Sequence, residues 1–339
     1  YWLWSQDLDF GYLSKPPLIA WALYFYTSLF GDSFVSLKLF PIIFYFFTSV
    51  AIYNFCRKLD LQKSISLICA FSFLVMPAVS VSSFLISTDV ILLLFWILSM
   101  SVLIEIRKEP SLKNFIVFGI MLGLSFLAKY AAIYFFISLA VLLFFDGHLR
   151  NVLYANKLKF IIFLITILIV VLPNIIWNVN NSWLTLVHTS DNANLNNIDF
   201  SFSRGLVFLI LQILMIGPIL FIGTVLNIKK IIYDYKNIFL LSYSIPIIII
   251  VFIESVVVRA NANWAAVSLI CLLIFFINSL SYFKNYVLCL SFVANVCFGG
   301  VFFLLIAISS NYKIFDRING INEFSNEFKK DLKEKSNIV

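Results

Sequence analysis

Stretches of about 20 apolar residues, the length a helix needs to cross a bilayer, recur along the whole chain, separated by short polar interruptions. They predict ten spans, near 34–56, 64–82, 89–106, 114–128, 130–145, 159–178, 205–227, 238–258, 265–281 and 286–310. The break at Lys129 divides a run, 114–145, that is too long for one perpendicular helix, although each half is slightly short for a full crossing. Ahead of the first span lies a polar and aromatic segment, 1–32, whose second half reads as an interfacial amphipathic stretch. After the last, residues 311–339 read as a soluble amphipathic tail carrying Lys329, Lys330, Asp331, Lys333, Glu334 and Lys335. The expected organisation is a membrane-embedded domain over 1–310 and an external soluble tail over 311–339, in an all-α, polytopic transmembrane helical bundle. Both ends of the chain are expected to be cut from something longer.

Loop charge checks this division independently. Alternate loops hold thirteen basic residues: Arg57, Lys58 and Lys63; Arg107, Lys108 and Lys113; Arg150, Lys157 and Lys159; Lys229, Lys230 and Lys236; and Lys284. Apart from the tail, the other face holds only Lys15, Lys38, Lys129, Arg204 and Arg259. The positive-inside rule puts the first set in the cytoplasm. The second set, with the N-terminal segment and the tail, then lies outside, which is the periplasm for a Gram-negative inner membrane. Joining 114–145 into one crossing would break the alternation, so the charges support the split at Lys129.

Composition agrees with a membrane protein. Apolar residues make up 62% of the chain and charged residues 12%, and mean hydropathy is +1.00; no soluble domain hides that much apolar surface. The net charge of +7 is accounted for by the loop bias, so no nucleic-acid partner is expected. Cys56, Cys69, Cys271, Cys289 and Cys297 all fall within apolar stretches without CxxC spacing, and read as packing residues rather than disulfides or metal ligands.

Five clusters of charged, amide and aromatic residues all fall on the outer side. The first runs from Tyr1-Trp2-Leu3-Trp4 through Asp7, Asp9 and Tyr12 to Lys15-Pro16-Pro17. Two prolines hold the backbone at Lys15 extended, so that its ammonium can sit at the mouth of a cleft and meet a phosphate; an interfacial anchor with a snorkelling lysine is the alternative. Asp89 stands at the outer start of a span, where Thr88 or Asp89 could simply be a helix N-cap. Lys129-Tyr130 places a lysine between two apolar runs, so it either snorkels or faces a polar cavity. Pro173-Asn174 near a span end, followed by Trp177-Asn178, Trp183 and His188, offers neutral groups suited to sugar hydroxyls, or merely ends a helix. Arg259-Ala260-Asn261-Ala262-Asn263-Trp264 combines a phosphate-capable guanidinium, two amides and an indole able to stack on a sugar ring, or is an interfacial Trp beside a positive charge. Glu254 and Gln212 are the remaining polar residues within spans; Glu254 lies near an outer end and reads as interfacial.

The string Tyr1-Trp2-Leu3-Trp4-Ser5, Asp9-Phe10-Gly11-Tyr12, Lys15-Pro16-Pro17-Leu18-Ile19-Ala20-Trp21 and Leu29-Phe30-Gly31-Asp32 resembles the first external loop of bacterial membrane glycosyltransferases of the protein mannosyltransferase-like (PMT-type, GT-C) superfamily, such as the aminoarabinose and lipid A galacturonic acid transferases. Further matches follow in the family's order: Thr88-Asp89 into the apolar run ending at Trp96, Leu127-Ala128-Lys129-Tyr130, Pro173 to Asn178, Asn261 to Ala266, and Asp316-Arg317 to Gly320 in the tail. The first and fifth clusters carry the most specific part of the likeness.

The resemblance implies an inverting transfer of a sugar from a polyprenyl-phosphate donor to a lipid or protein acceptor in the cell envelope, lipid A and lipopolysaccharide included. Such chemistry needs a carboxylate for the acceptor's proton and fixed positive charge for the leaving phosphate. Lys15 corresponds to the family's phosphate-facing lysine, with Lys129 and Arg259 as further cations. Asp89 corresponds to an acidic position that orients donor or acceptor, and Asp9 is the other carboxylate carried forward. Tyr12, Tyr130, Asn174, Asn263 and Trp264 are the expected lining of the sugar or lipid pocket. In relatives an acidic pair carrying the presumed base precedes the Tyr-Trp string, and this chain begins after that point. Relatives often have an acidic residue directly before the Lys-Pro; here it is Ser14, so a divalent metal stays open as a cofactor with no ligand assigned to it. A polytopic transporter without chemistry is the alternative of a different class, for which polar residues should line a path through mid-membrane. A third reading is an inactive fragment of such a transferase.

Overall fold

The computed structural model describes residues 1–193, 198–230, 234–281 and 285–308. Lys284, much of the loop after Lys230 and the whole tail with Asp316, Arg317 and Gly320 lie outside the described residues. The described chain is helical throughout, with no strand. In order the helices are α1 (Trp2–Gln6), α2 (Leu18–Phe30), α3 (Phe34–Lys58), α4 (Lys63–Leu74), α5 (Pro77–Ser82), α6 (Thr88–Lys108), α7 (Leu112–Ala128), α8 (Tyr134–Phe145), α9 (Gly147–Ala155), α10 (Lys157–Asn180), α11 (Leu184–Ala193), α12 (Phe202–Ile216), α13 (Pro218–Leu226), α14 (Tyr235–Ser242), α15 (Ile245–Val257), α16 (Ala266–Ser281) and α17 (Asn285–Ile308). Tight 3₁₀ turns at Tyr130–Ile133 and Ala262–Ala265 lead into α8 and α16.

Each of the ten predicted segments is largely helical over its described residues, but not every one is a single straight crossing. Among the described residues six helices are long and apolar enough to span a bilayer, or up to eight if each bent pair counts as one span. Segment 64–82 is interrupted at Val75–Met76, because Pro77 cannot continue α4 and starts α5 instead. Segment 205–227 bends by 100° between α12 and α13. The bend is made by Gly217, at φ +112°, followed by Pro218. A side chain at Gly217 would be strained there and would also meet the Asn295 amide at 2.7 Å. The stretch 114–145 does split: α7 stops at Ala128, Lys129 is extended, and the chain re-enters as a 3₁₀ turn and α8. By contrast α10 continues through Pro173 to Asn180, so that proline does not terminate its helix.

Burial orders the helices. In the most apolar window of α6, 78% of residues are buried, and 83% in the α16 segment, whereas α10 has 17% and α17 11%. The first two therefore form the centre of the bundle, and the last two are little buried along most of their length. Phe135, on α8, packs edge-on against Trp96 and against Tyr243, and Phe118 stacks on Phe163 with centroids 4.2 Å apart. Gly119 and Gly123, one turn apart on α7, admit α10 closely: an added Cβ would stand 2.6 Å from Thr166 and 2.8 Å from Val170. This is the small-xxx-small contact by which membrane helices associate without a hydrophobic driving force between them. Cys56, Cys69 and Cys271 are buried in the core, while Cys289 and Cys297 lie on the exposed surface of α17.

The basic loops assigned to the inside are drawn together at one end of the bundle. Lys58 pairs with Glu105 at 2.6 Å, Lys108 with Asp60 at 2.9 Å, and Arg107 with Asp146 at 2.7 Å. Lys236 donates to the Asp60 carbonyl and Lys159 to that of Pro110, and the Arg107 guanidinium lies 4.1 Å from the centre of the Tyr235 ring. Asp146 also caps α9 by accepting from the Leu149 amide.

Candidate active site

The N-terminal loop is a folded object. Tyr12 is its peg: buried, with the ring stacked on Trp4 at 4.7 Å, the hydroxyl donating to the carbonyls of Trp4 and Asp7, and the Asp9 amide donating back to it. Asp9 fastens the loop from both ends of its residue. Its Oδ2 accepts from Trp177 Nε1 at 2.5 Å, its Oδ1 from the Phe10 amide, and its carbonyl from Trp21 Nε1. Gly11 lies flat against Trp177, where an added Cβ would come within 2.3 Å of the ring. From α11, Thr185 donates to the Tyr12 carbonyl. Asn174, 2% exposed, accepts from the Tyr130 hydroxyl and donates to the Phe10 carbonyl, while Asn178 donates to Tyr130. The Pro173–Asn178 cluster is thus a bracket joining α10, the start of α8 and the first loop.

The second construction centres on Asp89. α6 begins at Thr88, with Ser87 at the N-cap position making no side-chain cap bond, so Asp89 is not consumed in capping. It is buried, and its two oxygens go to different partners: Lys129 Nζ at 2.6 Å and Asn263 Nδ2 at 2.9 Å. The end of α7, the start of α6 and the turn before α16 are keyed together at this carboxylate. Gln212, which the sequence leaves in mid-span, donates to the Ala262 carbonyl and so braces the same turn from α12.

Between these two constructions lies a cavity of about 290 Å³. Its walls include Lys15, Lys129, Tyr130, Tyr134, Glu254 and Trp264. Lys15 makes no ion pair or side-chain hydrogen bond among the described residues. Burial, and after it the nearness of Lys129, lower the Lys15 pKa below the ordinary lysine value, with Asp89 pulling the other way. An ammonium held at such a cost is a place where an anion would be stabilised.

Of the residues expected from sequence, Lys15, Lys129, Tyr130 and Trp264 line this cavity, with Asp89 and Asn263 directly behind Lys129. Tyr12 and Asn174 support the walls from outside. Asp9 and Arg259 are not brought to it. Asp9 borders a separate aromatic groove with Leu8, Phe10, Trp21 and Phe25, and Arg259 a cavity on the far side of α15. Glu254, read from sequence as interfacial, is instead the carboxylate that lines the main cavity, and its signal was a charge inside an apolar run. Among the described residues there is no group of three or more His, Cys, Asp or Glu able to hold a metal ion. Both oxygens of Asp89 are taken up by Lys129 and Asn263.

The fold is that of a solved polytopic membrane protein, and part of the sequence matches a family model. Residues 14–177, which include Lys15, Asp89, Lys129 and Asn174, match the family model described as dolichyl-phosphate-mannose-protein mannosyltransferase. The lipid A galacturonosyltransferase RgtD of Rhizobium johnstonii is 29% identical over 269 residues, which is 78% of this chain and 56% of RgtD. The crystal structure of apo ArnT from Cupriavidus metallidurans superposes with a TM-score of 0.61 over 92% of this chain and 59% of that one, at 15% identity. The chain therefore spans somewhat more than half the length of both.

Proposed function

We propose that this protein is an inverting glycosyltransferase that moves a sugar from a polyprenyl-phosphate carrier to a lipid A-type envelope acceptor on the outer, periplasmic face of the inner membrane. The observation that carries this reading is the cavity into which Lys15 presents an unpaired ammonium beside the Lys129–Asp89 pair, with Glu254 and Trp264 on its wall. The match to RgtD supports the acceptor class. The clustering of polar groups at one end of the bundle, with Gln212 engaged there as well, supports chemistry over passage through the membrane.

In this reaction the acceptor hydroxyl oxygen forms a bond to the anomeric carbon while the bond from that carbon to the phosphate oxygen breaks. The acceptor's proton goes to a carboxylate, and the lipid phosphate departs with the electron pair. Lys15 meets the charge that grows on the departing phosphate, and a fixed cation in a partly dry site does so at little reorganisation cost. Lys129, held in place by Asp89, adds positive potential on the same side. Glu254 accepts hydrogen bonds from sugar hydroxyls, and the Trp264 ring offers the sugar an apolar face. Tyr130, oriented by Asn174 and Asn178, closes the wall between Lys129 and α8.

The test is transfer of sugar from a synthetic polyprenyl-phosphate sugar to lipid A by the protein in proteoliposomes, with Lys15→Met alongside. We expect transfer by the parent protein and a loss of at least about a hundredfold in the variant, the scale for removing one electrostatic stabiliser. Transfer at the parent rate by Lys15→Met overturns the assignment.

A further inference from the structure

Five basic residues stand on the outer face against the bias that orients the chain, and each has a local reason to be there. Lys15 and Lys129 line the cavity described above, and Lys38 donates to the Phe84 carbonyl. The remaining two, Arg204 and Arg259, meet in a second cavity of about 210 Å³ between the outer ends of α12 and α15. Ser203 and Ser255 lie on its walls with Val207 and Leu211. The two cavities back onto each other: Glu254 borders the first and its neighbour Ser255 the second, and along the following turn Trp264 borders the first and Arg259 the second.

Arg204 is held in place rather than free. Its guanidinium pairs with the Asp199 carboxylate at 3.4 Å, donates to the Asp199 carbonyl, and reaches the Val256 carbonyl at 3.5 Å. Its Nε is nevertheless buried with no hydrogen-bond partner, an arrangement that costs stability until an acceptor arrives. Arg259 is exposed and makes no ion pair among the described residues. With Asp199 counted, the pocket keeps a net positive charge. Planar guanidinium groups suit the oxygens of a phosphate, which two of them can share. Val207 and Leu211 are 54% and 39% exposed on the lipid-facing side of α12, directly below this charge in the depth of the membrane. Charge at headgroup level above an apolar strip is the chemistry of one ligand class.

We infer that the Arg204–Arg259 cavity is a binding site for the phosphate headgroup of an anionic lipid of the outer leaflet, whose chains lie along Val207 and Leu211. The site does not depend on the transferase reading, since none of its residues borders the main cavity. A lipid held here abuts the turn that carries Asn263 and Trp264, so its occupancy braces that turn from the side opposite Gln212.

The experiment is native mass spectrometry of the purified protein exchanged into detergent with phosphatidylglycerol, phosphatidylcholine or inorganic phosphate, for the parent, Arg259→Gln, Arg204→Gln and Lys15→Met. We expect one retained phosphatidylglycerol per chain, an affinity about tenfold lower in Arg259→Gln for the loss of one charge-assisted contact, and parent-like retention in Lys15→Met. Arg259 is exposed, so its variant decides the matter even if Arg204→Gln does not fold. Equal retention of phosphatidylcholine, unchanged retention in Arg259→Gln, or capture of inorganic phosphate with no lipid held overturns the inference. Loss of transferase activity in Lys15→Met with lipid retention intact separates this site from the first.

Discussion

Lys129 Nζ lies 2.6 Å from Asp89 Oδ1, and both side chains are largely withdrawn from solvent, at 16% and 11% exposure. Removing one member of such a pair leaves the other charge buried alone, which costs roughly 3–5 kcal/mol, whereas removing both costs far less. We expect Asp89→Asn and Lys129→Gln each to lower the thermal midpoint markedly in detergent, and the double variant to recover most of the loss. A double-mutant cycle of the midpoints measures the coupling; purely additive losses would show the contact to be incidental. All three variants are expected to be inactive.

Lys15 gives the site a pH signature. Its pKa is lowered from the ordinary value of 10.5, so between its folded-state pKa and 10.5 the unfolded chain binds more protons than the folded one. Stability contributed by this residue therefore rises with pH across that window. Activity is expected to run the other way, because the cation proposed to meet the phosphate disappears as pH passes the lowered value. We expect the alkaline limb of kcat/KM to fall below 10.5, and Lys15→Arg, which stays charged, to lose that limb while keeping part of the activity. An identical limb in the arginine variant would assign the titration to another group.

Gly11 has no room for a side chain against Trp177. Gly11→Ala must push the indole away and with it the 2.5 Å bond to Asp9, at a cost of about 1–3 kcal/mol for overpacking. The expected readout is faster proteolysis within 1–17 and a raised KM, with the helical circular dichroism unchanged. Parent-like proteolysis would mean that the loop is held elsewhere.

Glu254 is expected to bind sugar hydroxyls, so Glu254→Gln should raise KM for the donor about tenfold, the scale of one charged hydrogen bond, and leave kcat within a fewfold. The opposite split, with kcat down a hundredfold or more at constant KM, would make Glu254 the proton acceptor instead.

Apolar runs located the membrane segments because hydropathy is set by the solvent, residue by residue. They do not report where a helix breaks: the 100° corner at Gly217-Pro218 and the interruption before Pro77 are marked by glycine and proline instead. At the site, Lys15, Lys129, Tyr130 and Trp264 were legible as polar interruptions. The partners were not, since nothing local ties Asp89 to Asn263, or Asn174 to Phe10, across 174 and 164 residues. Asp9 and Arg259 carried suitable chemistry but border other grooves, because each sits in a loop outside the helices, where no periodicity says which way a residue faces. Gly119 and Gly123 are a readable packing signal, GxxxG within an apolar run.

The keying of three helices at Asp89 also sets an order on biogenesis. On the proposed sidedness Lys129 is carried outward across the membrane against the charge rule, and the carboxylate that neutralises it is made 40 residues earlier. The counter-ion is therefore in place when the hairpin formed by α7 and α8 is threaded into the bilayer. Asn263, 174 residues after Asp89, reaches the same carboxylate only once the second half of the chain has been inserted. The ion pair can therefore form before the hydrogen bond from Asn263 that fixes its geometry, so the cavity is assembled only after the turn before α16 has been made.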